Sequence, residues 1–89
     1  MSYISIGKFS NQTDVDLSIN LEIHCEQIIL NPGHEIELFI ENKLGALPVN
    51  ILYHEKSLQI YPHTSDPDWL IHYNGRKIVP GYPTRLSEY

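Results

Sequence analysis

Between Val15 and Cys25 the chain alternates without a break. Val15, Leu17, Ile19, Leu21, Ile23 and Cys25 are apolar, and Asp16, Ser18, Asn20, Glu22 and His24 are polar. A period of two places successive side chains on opposite faces of an extended chain. A helix turning 100° per residue would scatter these apolar side chains around its circumference. The segment therefore reads as a strand with one face in a core and one in water. It is long for one strand, and a bend or bulge near Asn20 would accommodate it. In this phase Cys25 faces the core.

The same period recurs downstream. Ile36, Leu38 and Ile40 alternate with Glu35, Glu37, Phe39 and Glu41. Val49–His54, Ser57–Tyr61, Trp69–Tyr73 and Arg76–Val79 are further short strands, and Ser2–Ile6 is a short β segment that could join its own sheet or a partner's. Asn31-Pro32-Gly33-His34 has Pro and Gly where a type II turn requires them. Asn74-Gly75 is the strongest hairpin signal in the chain, whereas Glu55-Lys56 has hairpin length without that chemistry. No segment carries a helical stripe. The pattern predicts an all-β fold of seven or eight short strands, as a small antiparallel β-sandwich or a small barrel. At 89 residues the size is that of an immunoglobulin-like domain. The likeness is architectural only, because the Cys…Trp…Cys hallmark is missing. Residues 1–79 read as one β domain and residues 80–89 as a Pro-rich tail that packs on the body or reaches a neighbour.

Charge narrows the functions. Eleven acidic against six basic residues give a formal charge of −5, the wrong sign for displacing counterions from nucleic acid. No apolar run approaches the roughly 20 residues of a membrane-spanning helix. Cys25 is the single cysteine, so no intrachain disulfide staples the domain. The N-terminus lacks the charged and apolar regions of a signal peptide, which makes the cytoplasm the expected location.

Catalytic motifs are missing. There is no GxSxG, HExxH or CxxC motif and no glycine-rich phosphate loop. His24 lies on the opposite strand face from Cys25 and cannot serve as its base. Glu35, Glu37 and Glu41 share a face and read as solvated edge charges. The candidate divalent-metal set is Glu22 and His24, which share a face at i and i+2, with His54 or His72. Solvent-facing histidines without a ligand role are the simpler reading. In the loop His63–Trp69, Asp66 and Asp68 fall short of a calcium loop, and turn hydrogen bonds explain them better.

The aromatic residues gather toward the C-terminus. Trp69 reads first as the central core filler. The alternative is an exposed platform for a sugar, helped by Asn50, Asn74 or His72. Tyr61, Trp69, Tyr73, Tyr82 and Tyr89 form the candidate interaction surface, since such rings suit half-wet interfaces. The sequence thus predicts a non-enzymatic cytosolic interaction module without a cofactor. Its partner would be another protein or its own copy. The alternatives are a carbohydrate or metal binder, and a small acidic inhibitor or immunity-type protein.

Overall fold

A computed structural model describes residues 2–89, which form nine strands in two facing sheets. The strands are β1 (Tyr3–Ser10), β2 (Leu17–Leu21), β3 (Glu26–Leu30), β4 (Glu35–Glu41), β5 (Asn50–His54), β6 (Ser57–Tyr61), β7 (Trp69–Tyr73), β8 (Arg76–Ile78) and β9 (Thr84–Arg85). One sheet has the order β1-β4-β7-β8 and the other β5-β6-β2-β3-β9. The fold is a small all-β sandwich. Neither sheet closes on itself, so the barrel alternative does not apply. The four-stranded sheet is antiparallel throughout. In the other sheet β2 runs parallel to β6, and β3 parallel to β9.

The core follows from the alternation. Ile36, Leu38, Ile40, Trp69, Ile71, Tyr73 and Ile78 come from one sheet, and Ile19, Leu21, Ile28, Leu30 and Ile60 from the other. Trp69 is 2 % exposed and lies in the core, as its phase on β7 requires. Its indole N–H has no hydrogen-bond partner among the described residues. Burying it costs about 1–3 kcal/mol, which the large apolar area of the ring offsets.

The turns behave as their chemistry demands. The His34 N–H donates to the Asn31 carbonyl at 3.2 Å, with Gly33 at φ +79°. Asn74 and Gly75, at φ +51° and +74°, close the β7–β8 hairpin with the paired positive φ of a type I′ turn.

Two readings change. First, the run from Val15 to Cys25 is not one strand. Leu21 pairs with Glu26, so residues 22–25 make a chain reversal. Ile23 and Cys25 are exposed there, and Cys25 sits at φ +60°. Apolar residues at odd positions in a turn continue the pattern without continuing the strand. Second, β1 extends to Ser10 because a bulge between Ser5 and Gly7 resets its phase. Ile4 packs on the core before the bulge, Ile6 at it and Phe9 after it. Residues 80–89 pack on the body, the first of the two expectations for the tail: the Gln27 N–H donates to the Gly81 carbonyl at 3.0 Å, β9 pairs with β3, and Leu86 is buried.

Asn11, fully buried, ties the end of β1 to its surroundings. Its Nδ2 donates to the Val15 and Leu30 carbonyls, both at 2.8 Å. Its Oδ1 accepts from the Thr13 N–H at 2.9 Å and the Thr13 hydroxyl at 2.7 Å. Its backbone N–H donates to the His34 carbonyl at 3.0 Å, and its carbonyl accepts from the Gly33 N–H at 2.8 Å. Side chain and backbone of this one residue thereby tie the β1–β2 loop to the end of β3 and to the β3–β4 turn, with every side-chain polar atom satisfied.

Candidate functional site

An open sandwich leaves backbone groups unpaired along its outer strands, and such edges invite a foreign strand. The four edges here are β1, β8, β5 and β9. Three are blunted. β1 carries the bulge and the exposed Lys8. β8 has three residues, two of them Arg76 and Lys77, and β9 has two, Thr84 and Arg85. Charge, irregularity and shortness are the devices that keep an edge from pairing.

β5 has none of them. Asn50-Ile51-Leu52-Tyr53-His54 contains no Lys, Arg, Asp, Glu or Pro, pairs with β6 without a register shift, and is exposed along its whole length. Ile51 and Tyr53 lie opposite Ile60 and Leu58 on the inner face of the sheet. The other sheet does not cover them: Tyr53 is 76 % and Ile51 47 % exposed. Leu52, opposite Gln59, projects from the outer face. The hairpin also determines which backbone groups are free. His54 and Ser57 flank the two-residue turn and pair directly, so they exchange hydrogen bonds. Antiparallel alternation then directs the N–H and C=O groups of Asn50, Leu52 and His54 toward β6, and those of Ile51 and Tyr53 outward.

The predicted aromatic surface does not assemble. Trp69 and Tyr73 are core residues, Tyr73 being 5 % exposed, so burial removes both from any surface. The Tyr73 hydroxyl lies 2.5 Å from His34 Nδ1. Tyr61 is half-buried on β6, next to β5. Tyr82 and Tyr89 are exposed beside β9, at the far edge of the same sheet.

The metal candidates are also dispersed. Glu22 and His24 are in the β2–β3 turn, and His54 ends β5 two strands away. His72 is on the opposite sheet, its ring 4.3 Å from that of Phe39. Among the described residues no three His, Cys, Asp or Glu side chains are grouped to hold a metal. His24 Nε2 instead faces Asp66 Oδ1 at 3.6 Å.

Cys25 points away from the core, opposite to the strand expectation. Its thiol donates to Glu22 Oε1 at 3.6 Å, and this hydrogen bond with the nearby negative charge raises the thiol pKa. A raised pKa lowers the thiolate fraction and with it the nucleophilicity.

The β4 carboxylates have structural partners. Ser5 Oγ donates to Glu37 at 2.6 Å, Ser10 Oγ donates to Glu35 at 2.5 Å, and Lys43 Nζ lies 3.2 Å from Glu41. An open cleft of about 620 Å³ borders Lys8, Glu37, His34 and Tyr73. Glu37 and His34 already have the partners named above.

The chain matches no protein-family model, no curated protein and no solved structure. No helix among the described residues is long and apolar enough to cross a membrane.

The signal that could have found β5 is local. Ile51-Leu52-Tyr53 is apolar on both faces, which in a short strand reads as full burial. Only the strand order turns those faces outward.

Proposed function

We propose that this protein is a non-enzymatic interaction module that binds a protein partner by strand addition to β5. One observation carries the reading. Of the four edges, only β5 combines five regularly paired residues, apolar side chains on both faces and no protective charge. Strand addition draws affinity from main-chain hydrogen bonds and specificity from alternate side chains. The outward backbone groups of Ile51 and Tyr53 supply the first, and the inner-face Ile51–Tyr53 patch supplies the second. An extended, uncharged segment with alternate apolar residues fits this edge.

Peptide display against the immobilised protein tests the reading, followed by titration of selected peptides with amide shifts as the readout. Saturable shifts should centre on residues 50–54. Tyr53→Pro should abolish them. The Tyr53 N–H points away from β6, so its loss removes a bond to the incoming strand and none to the hairpin. Binders indifferent to Tyr53→Pro would overturn the assignment of the edge. Burial of Trp69 takes that ring away from the carbohydrate alternative.

A further inference from the structure

We infer that the strand added to β5 is β5 of a second copy, paired antiparallel about a two-fold axis through Leu52. This rests on the strand-addition reading and names its partner. The five residues are self-complementary in that register. Leu52 faces its own twin, Ile51 faces the twin's Tyr53, and Asn50 faces the twin's His54.

Three properties of the molecule favour this partner. The first is hydrogen bonding. The outward groups of β5 belong to Ile51 and Tyr53, and the two-fold makes these two residues direct partners. Each Ile51 N–H meets a Tyr53 carbonyl and each Tyr53 N–H an Ile51 carbonyl, which satisfies four donors and four acceptors. No other centring within the strand pairs all four donors. The second is packing. The two-fold runs perpendicular to the sheet, so inner faces stay on one side. Two Ile51 and two Tyr53 side chains meet there, in the area the four-stranded sheet leaves uncovered. Aliphatic–aromatic pairs of this kind are favourable across strands. The third is charge. Each copy carries −5, yet the join contains no acid. The nearest charges, Glu55 and Lys56, fall opposite the twin's Val49 and Pro48, so no like charges are placed face to face.

The product is a continuous ten-stranded sheet made from two five-stranded ones. A five-residue join is small beside a standard interface of roughly 1,600 Å². Association is therefore weak, about micromolar or weaker. Added salt strengthens it by screening two acidic bodies from each other.

Sedimentation from about 10 µM to about 1 mM reads the mass directly. The expected result is a rise from 10.3 kDa toward twice that value, with amide exchange slowed at Ile51 and Tyr53. Leu52→Lys sets two ammonium groups opposite each other and should raise the half-association concentration at least about tenfold. Its site is already half exposed, so unchanged circular dichroism is the folding control. Leu52→Cys in a Cys25→Ser background is independent of that variant. The twins' Cβ atoms stand about 4.5–5.5 Å apart in such a pair, so mild oxidation should crosslink it faster than the diagonal Ile51→Cys.

A chain that stays at 10.3 kDa throughout overturns the second-copy proposal. So does a dimer indifferent to Leu52→Lys and Tyr53→Pro, or equal crosslinking at 51 and 52. If such a monomer still binds displayed peptides through β5, strand addition stands and only the partner is wrong. If it binds none, both fail.

Discussion

β1 and β5 are both outer strands, and they are finished in opposite ways. β1 is interrupted by a bulge, carries Lys8 and runs into Asn11, whose side chain is buried and fully hydrogen-bonded. β5 is regular, uncharged and apolar on both faces, and its outward backbone groups meet no other strand of this chain. A domain of 89 residues has a small core and little stability to spare. Leaving an apolar strand uncovered loses burial that such a core could use. The contrast separates β1, whose end is tied into the body through Asn11, from β5, whose outer side no strand among the described residues covers.

Asn11→Ala should break that contrast most severely. It removes the Asn11 partner of the Leu30 carbonyl and the Thr13 N–H, while the Val15 carbonyl keeps the Thr13 hydroxyl, and should cost about 2–4 kcal/mol in urea unfolding. A loss below about 1 kcal/mol would mean that the knot does not hold the β1 end.

Gly45→Ala tests a second fixed point. Gly45 sits at φ +81°, and a Cβ there would stand 3.0 Å from the Thr64 backbone. The loop before β5 could not keep its seat on the loop after β6. A cost of about 1–3 kcal/mol is expected, with no effect on the strand order.

Glu26 gives a smaller effect with a definite sign. It pairs with Leu21 at the rim of the inner face. Burial raises its carboxyl pKa above the ordinary 4.5, His24 partly opposing and Asp68 adding to the rise. The folded state therefore holds the proton more tightly than the unfolded chain, and the charged form costs stability. That cost is full above the folded pKa and disappears as pH falls through the ordinary carboxylate range. Glu26→Gln should stabilise the protein at pH 7 by a few tenths of a kcal/mol, after solvent screening. The gain should vanish in unfolding measured near pH 4.

Leu52→Lys should change monomer stability least, within about 0.5 kcal/mol. Its effect should fall on association. Equal losses of stability from Leu52→Lys and Asn11→Ala would erase the distinction between the two edges.

Much of the sandwich is legible in the sequence because its signals are local. Ile36, Leu38 and Ile40 show a one-sided strand, and Trp69, Ile71 and Tyr73 show another. Asn74-Gly75 and Pro32-Gly33 specify turns through positive φ. The failures share a cause, since each depends on something distant in the chain. Val15 and Ile23 carry on the β2 pattern although no core lies beneath them, and no Gly, Pro or Asn marks the reversal at residues 22–25. Gly7 hides the bulge that makes β1 long. Which of the two expectations holds for the tail likewise depends on β3, more than fifty residues earlier. The candidate site was the least legible part. Tyr residues cluster toward the C-terminus, but exposure depends on strand order, and that order buries Tyr73 and uncovers Tyr53.

By itself the sequence determined an all-β chain with a single core, because a period of two admits no helix and one short chain can fill only one core. It also determined which faces of β2, β4 and β7 turn inward. The tertiary structure decided that β2 and β6 run parallel, that Thr84–Arg85 complete a sheet, and that Ile51, Leu52 and Tyr53 lie at an open edge. Alternation is carried by neighbouring residues, whereas edge and centre are properties of strands meeting across the whole chain.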